Sequence, residues 1–224
     1  MTTQTESAKK SSAPKTERPD GFLVATTEES PGYNAPQRMG RKLWLPMFAM
    51  ALMGWTVGII LAAVEAGTDR SDVDTLQDLG HLVPAFMFIG FLSVFAAISF
   101  AVARILGAFR KGGGEVQNIA GSPVQTLTMP PTAKAMLGFM MMGMMVMAAG
   151  IVVNFIGAGS YDGSTAADII DSASLGAFSS GLRRMGVALY LTGIALGLGT
   201  IIEVLRFQAI RIREVAAQYG HQHN

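Results

Sequence analysis

The sequence predicts an all-α integral membrane protein: four transmembrane helices forming a tandem pair of hairpins, N-in/C-in, behind a disordered N-terminal tail. Three observations lead there. Apolar runs at residues 43–64, 82–106, 135–156 and 185–205 each match the ~20 residues that a helix needs to cross a bilayer. Half of the 224 residues are hydrophobic and only 15% are charged, and the mean hydropathy is +0.38 although the N-terminal stretch is polar. Lys and Arg fall unevenly about the four runs, as they do in proteins oriented by positive charge. Hydrocarbon offers a bare backbone no hydrogen-bond partner, so runs of this kind must be helical.

Residues 1–40 are rich in Ser, Thr, Lys, Glu and Pro and carry no apolar period. Such a segment cannot bury enough surface to offset its ordering entropy, and it reads as a disordered cytoplasmic tail. The first apolar run starts too late and is too long for a cleaved secretory signal, so it reads as the first span. Arg38, Arg41, Lys42 and Trp44 form a basic and aromatic collar at its start, suited to a headgroup interface. Residues 41–206 are the four-helix transmembrane domain, and residues 207–224 a cytoplasmic helical extension and tail that continues through Arg206, Phe207, Ile210, Arg211 and Val215.

The sides follow from the cations. Lys9, Lys10, Lys15, Arg18, Arg38, Arg41 and Lys42 precede the first span; Arg110, Lys111 and Lys134 lie in the second connection; Arg206, Arg211 and Arg213 follow the fourth span. The first connection offers Arg70 against Glu65, Asp69, Asp72, Asp74 and Asp78. Cations are retained on the cytoplasmic side, so both termini are expected there, in a plasma membrane, with the Ala- and Gly-heavy composition leaning towards a bacterial inner membrane.

Between the spans, Ser71 followed by Asp74 suggests a helix start with a capping box, and Pro84 then sits early in the second helix, where a missing N–H is harmless. Gly112-Gly113-Gly114 reads as a flexible connection. Placing Gly58-Ile59-Ile60 over Gly150-Ile151-Val152 also aligns Met50 with Met142 and Met53 with Met145, the basis for expecting two similar hairpins in a four-helix bundle. In the fourth span Gly186, Gly193 and Gly197 share one face and suggest a close helix contact, in the chain or with another subunit.

Candidate sites are few. Asp74, Asp78 and His81 follow i, i+4, i+7 and line one face if their segment is helical; carboxylate and imidazole can together bind Zn, Cu or Fe. The plainer alternative is a capped, solvated turn. Seven of the fifteen methionines lie between Met136 and Met147, and Met136, Met140 and Met144 follow i, i+4, i+8. Soft thioethers suit Cu(I), and the terminal His221-Gln222-His223 would offer entry ligands; the alternative is adaptable packing at an irregular interface. Met140-x-x-x-Met144 followed by Gly193-x-x-x-Gly197 is similar to the pattern in high-affinity copper transporters of the Ctr type, although this chain has four spans and a long link between the two motifs. Among charges at depth, Glu203 is expected to pair with Arg104 or Arg206 as a structural ion pair, and Asn154 to hydrogen-bond between helices.

Other classes lack their parts. There is no Cys, hence no disulfide and no thiolate site, and a net charge of +1 does not suggest nucleic acid. Paired intramembrane histidines for haem are missing, no phosphate loop has the required spacing, and the serines and aspartates of residues 160–180 have no histidine beside them in that loop. The expectation is an accessory or structural subunit of a larger membrane complex, of respiratory or oxygenase type and copper-dependent, without a catalytic apparatus of its own. Its partners are then the lipid bilayer and other integral membrane subunits. A small transporter or copper carrier built on the Met-rich third helix is the alternative.

Overall fold

Four helices long and apolar enough to cross a membrane make up nearly all of the computed structural model, which describes residues 25–27, 32–161 and 165–222. The elements are β1 (Ala25–Thr27), α1 (Ala35–Gly67), α2 (Val73–Ile119), β2 (Gln125–Leu127), α3 (Pro131–Gly157) and α4 (Ala166–Gln222). The α1–α2 and α3–α4 connections lie at one end, called here the turn end. The two strands pair antiparallel at the other, the tail end, with Thr26 opposite Thr126.

The helices run well beyond the apolar stretches that reveal them. At 1.5 Å per residue, α2 is about 70 Å long and α4 about 85 Å, against a hydrocarbon thickness of about 30 Å. α1 starts at Ala35, where the Gln37 side chain accepts from the backbone N–H of Asn34 at 3.0 Å. α1 and β1 thus place order within the stretch assigned to a disordered tail; residues 1–24 and 28–31 lie outside the described residues. α2 starts one residue later than the capping box predicted: Asp72 is the cap and accepts from Thr75 N at 3.2 Å, while Ser71 donates to Asp69 instead. Pro84 is nevertheless well inside α2, where its ring removes a helical donor rather than replacing an idle one.

The glycine run is another correction. Gly112, Gly113 and Gly114 are helical, each costing about 1 kcal/mol relative to alanine. The compensation is contact with α4: Gln208 lies against the bare backbone of Gly113, where a methyl group would collide with it, and Gly114 is buried. The turn that ends α2 comes later, at Gly121, whose φ of +65° suits glycine and whose N–H reaches Asn118 O at 3.0 Å.

Neighbouring hairpin arms are antiparallel. Gly54 touches Gly90 so closely that a Cβ on Gly54 would lie 2.8 Å from the Gly90 nitrogen, and the Trp55 ring covers Gly90. On α3 the buried face is Ala133, Met136, Met140, Gly143, Met147, Gly150, Asn154 and Gly157. Those steps alternate between three and four residues, the spacing of a coiled-coil seam. It meets the glycine face of α4: Cβ atoms would come within 2.9 Å of Met136 at Gly197, 2.9 Å of Met140 at Gly193 and 2.6 Å of Met147 at Gly186. The glycine contact is therefore made within the chain, methionine against glycine.

α2 is the shared element. Among the helices α1 packs extensively on α2 alone, while α3 and α4 pack on α2 and on each other. The structure is therefore a three-helix core with α1 laid against one side, not a closed four-helix bundle. Trp55 of α1 meets Phe91 edge-on at 5.7 Å, Phe91 stacks on Phe95, and Phe95 stacks on the buried Tyr190 of α4 at 4.6 Å. The aligned Gly58 and Gly150 reach α2 at one level, against Met87 and Phe88. α2 and α4 run parallel, in contact from Gln77 and Asp168 to Gln117 and Arg211.

Candidate functional site

Polar side chains are buried at both ends of the α2–α4 pair. At the turn end, α2 brings His81 to Ser172 of α4, with Nε2 and Oγ 2.9 Å apart and His81 only 3% exposed. The ring is flanked by the bare backbone of Gly157, where a Cβ would lie 2.7 Å from Nδ1. Nδ1 itself is buried without a hydrogen-bond partner. One turn and more further along, Asn154 of α3 accepts from Ser179 Oγ of α4 at 3.2 Å and donates to Gly150 O at 2.8 Å. Above both, Gln77 donates to Asp168 O at 3.3 Å. The cluster joins three helices through uncharged hydrogen bonds, the kind that hold helices together where apolar surroundings give little drive for association.

This geometry revises the sequence argument in one respect. The histidine missing from residues 160–180 is supplied by α2, 91 residues before its serine partner. A serine beside an imidazole is the beginning of a nucleophile and base arrangement. Here, however, Ser172 is itself buried and the second ring nitrogen has nothing to orient it, so the contact reads as an interhelical fastener.

At the tail end, Gln117 is the hub. Its Oε1 accepts from Gln125 N at 2.8 Å and from Arg211 Nη2 at 3.2 Å, and its Nε2 donates to Gly113 O and Gln125 O. Arg211, nearly buried, also bonds Glu214 and Pro123 O. These bonds tie α4 to the connection after α2 and, through Gln125, to the β1–β2 pair.

The sequence-derived candidates differ in burial. Asp74 is exposed, Asp78 half-buried and His81 turned inward onto Ser172. Among the described residues no group of three or more His, Asp or Glu is arranged to hold a metal ion. Met140 is buried against Gly193, whereas Met144, one turn on, is 41% exposed, so only the first of the two thioethers lies in the α3–α4 seam. One turn of spacing differs from the three-and-four alternation of the seam, and Met147, not Met144, continues it. His223 lies outside the described residues, and His221 falls in the last turn of α4.

Glu203 and Arg104 each have a partner that the sequence argument did not name. Glu203 accepts from Thr132 of α3 at 3.0 Å, and Thr200, one turn earlier, donates to the same Thr132 hydroxyl at 3.1 Å. Arg104 lies over the Trp44 ring of α1 at 5.4 Å. The Thr132 hydroxyl, itself bonded by Thr200, thus reaches the Glu203 carboxylate from the adjoining helix.

The chain matches no family model, no curated protein and no solved structure. Its function must be read from its own residues.

Proposed function

We propose that the protein is an accessory or structural subunit of a larger complex in the plasma membrane, a bacterial inner membrane, without catalytic machinery of its own. The observation that carries this reading is the position of α1. Held along one side by α2, it turns Met50, Met53, Val57, Ile60 and Val64 outward in a continuous helical stripe. A stripe of unbranched and β-branched side chains on a singly supported helix suits a neighbouring transmembrane helix. The buried polar groups support the same reading, since the His81–Ser172, Asn154–Ser179, Thr132–Glu203 and Arg211–Gln117 bonds each join one helix of this chain to another.

The surplus of Lys and Arg at the tail end supports a cytoplasmic side for both termini. A respiratory or oxygenase-type assembly, copper-dependent or not, is the first host to test. Affinity purification of the tagged full chain in mild detergent is expected to bring larger membrane partners with it, and Met53→Lys or Ile60→Lys should release them. Recovery as a lone chain, with its cellular activity intact, would overturn the proposal. Stoichiometric copper or zinc that is lost on substitution of Met140 and Met144, or of His81, would favour the carrier instead.

A further inference from the structure

At the tail end the α1–α2 hairpin gathers cations around two aromatic rings. Gly40 has no side chain, so α1 rests directly on the α2 backbone, and a Cβ there would sit 3.1 Å from Arg104 N. Gly107 likewise leaves room for Tyr33 and Gln37. Tyr33 is thereby fixed on α2, and two cations attend its ring: the Arg41 guanidinium at 4.8 Å from the centroid and Lys111 Nζ at 5.8 Å. Arg104 covers Trp44 close by. Arg38 and Lys42 flank Arg41 in sequence, and all of these cations are exposed. Among the described residues, the acid that pairs with this group is Glu115, 3.4 Å from Lys111.

Like charges brought to one ring repel, and the arrangement is relieved by an anion placed between them. What runs on from Arg41 shows which anion fits. Leu45, Phe48 and Leu52 follow it at i+4, i+7 and i+11, on the same helix face, and all three are exposed. A phosphate at the Arg41 and Lys111 positions would continue into an apolar stripe about three turns long. We infer that the tail end of the α1–α2 hairpin is a binding site for an anionic phospholipid, with its headgroup phosphate held by Arg41 and Lys111 beside Tyr33 and an acyl chain laid along Leu45, Phe48 and Leu52. Free inorganic phosphate would satisfy the cations and leave the stripe unused. The site rests on the chain lying in a bilayer, not on its role as a subunit, and it uses a different face of α1 from the stripe of Met53 and Ile60.

The test uses the full chain in a neutral detergent, with its thermal midpoint followed during titration with phosphatidylglycerol, phosphatidylcholine or inorganic phosphate. Phosphatidylglycerol is expected to raise the midpoint, and the other two to leave it nearly unchanged. Arg41→Gln and Lys111→Gln should each weaken the phosphatidylglycerol effect about fivefold, the value of one cation near an anionic surface. Arg41→Lys should keep most of it, and Arg213→Gln, which removes an exposed cation elsewhere, should keep it all. Equal responses to both lipids, an equal loss in Arg213→Gln, or saturation by inorganic phosphate would each overturn the site. Native mass spectrometry of the unaltered chain gives a second measure, with retained anionic lipid expected and its absence contrary. Should the bilayer reading itself fail, alkaline carbonate would release the chain from membranes, a result separate from the comparison of lipids.

Discussion

Met140 of α3 and Gly193 of α4 face each other so closely that a methyl group on the glycine would lie 2.9 Å from the methionine Cγ. The same pairing recurs at Met136 with Gly197 and at Met147 with Gly186, which makes the buried methionines knobs for a glycine groove. Gly193→Ala is therefore expected to lower stability by about 1–3 kcal/mol, the usual cost of overpacking. Gly199→Ala, where nothing lies within 4 Å, should leave it unchanged or raise it by up to about 1 kcal/mol through helix propensity. Thermal midpoints of the two variants in one detergent check the contrast.

The turn-end fastener gives a second expectation. Ser172→Ala removes the partner of His81 Nε2, and Nδ1 already has none, so a buried imidazole is left with both nitrogens unbonded. A loss of about 1 kcal/mol follows, within the range of interhelical hydrogen bonds in membrane proteins. Ser174→Ala, which gives up a bond only within its own helix at an exposed position, should be neutral. A double-mutant cycle with His81→Ala measures the coupling.

Arg211→Met tests the tail-end hub. It takes two donors from Gln117 and one from Pro123 O, at a cost of about 1.5–3 kcal/mol for bonds to a charged group. Amide exchange at Gln125, whose N–H is held by Gln117, should accelerate with it. Arg211→Lys is expected to recover only part, because an ammonium cannot present the fork that reaches both acceptors.

In the connection between α1 and α2, Asp69 accepts from both the backbone N–H and the hydroxyl of Ser71, at 2.9 Å and 2.8 Å. These bonds hold its carboxyl below the usual value of 3.8. A carboxylate lowered on folding adds stability above its unfolded pKa and loses it as pH falls through the folded one. Ser71→Ala should raise the Asp69 pKa towards 3.8, leaving the backbone bond, as read by carboxyl chemical shifts between pH 2 and 6. An unchanged titration would show that the hydroxyl contributes nothing.

The apolar runs sufficed to locate all four helices, because length and hydropathy are properties of a segment by itself. Their ends were not legible in the same way. Residues 166–184 of α4 are polar enough to read as a loop, and Gly112–Gly114 read as a flexible connection. They are helical because the partner helix lies alongside, as Gln208 does at Gly113 and Asp168 at Gln77. The methionines and glycines each announced a face, but only the three-and-four register of α3 distinguishes Met147 from Met144 as the one that turns inward. His81 and Ser172 could not be joined from the sequence, since nothing local to either residue records a neighbour 91 positions away.

Among the described elements, α2 is the sole extensive support of α1 and the common wall for α3 and α4. Whatever binds the outer side of α1 therefore has a contiguous line of packed rings to α4, through Trp55, Phe91, Phe95 and Tyr190. A push on that line would be felt along the two longest rods, so an event at the rim of the molecule has a direct lever on both ends of its core.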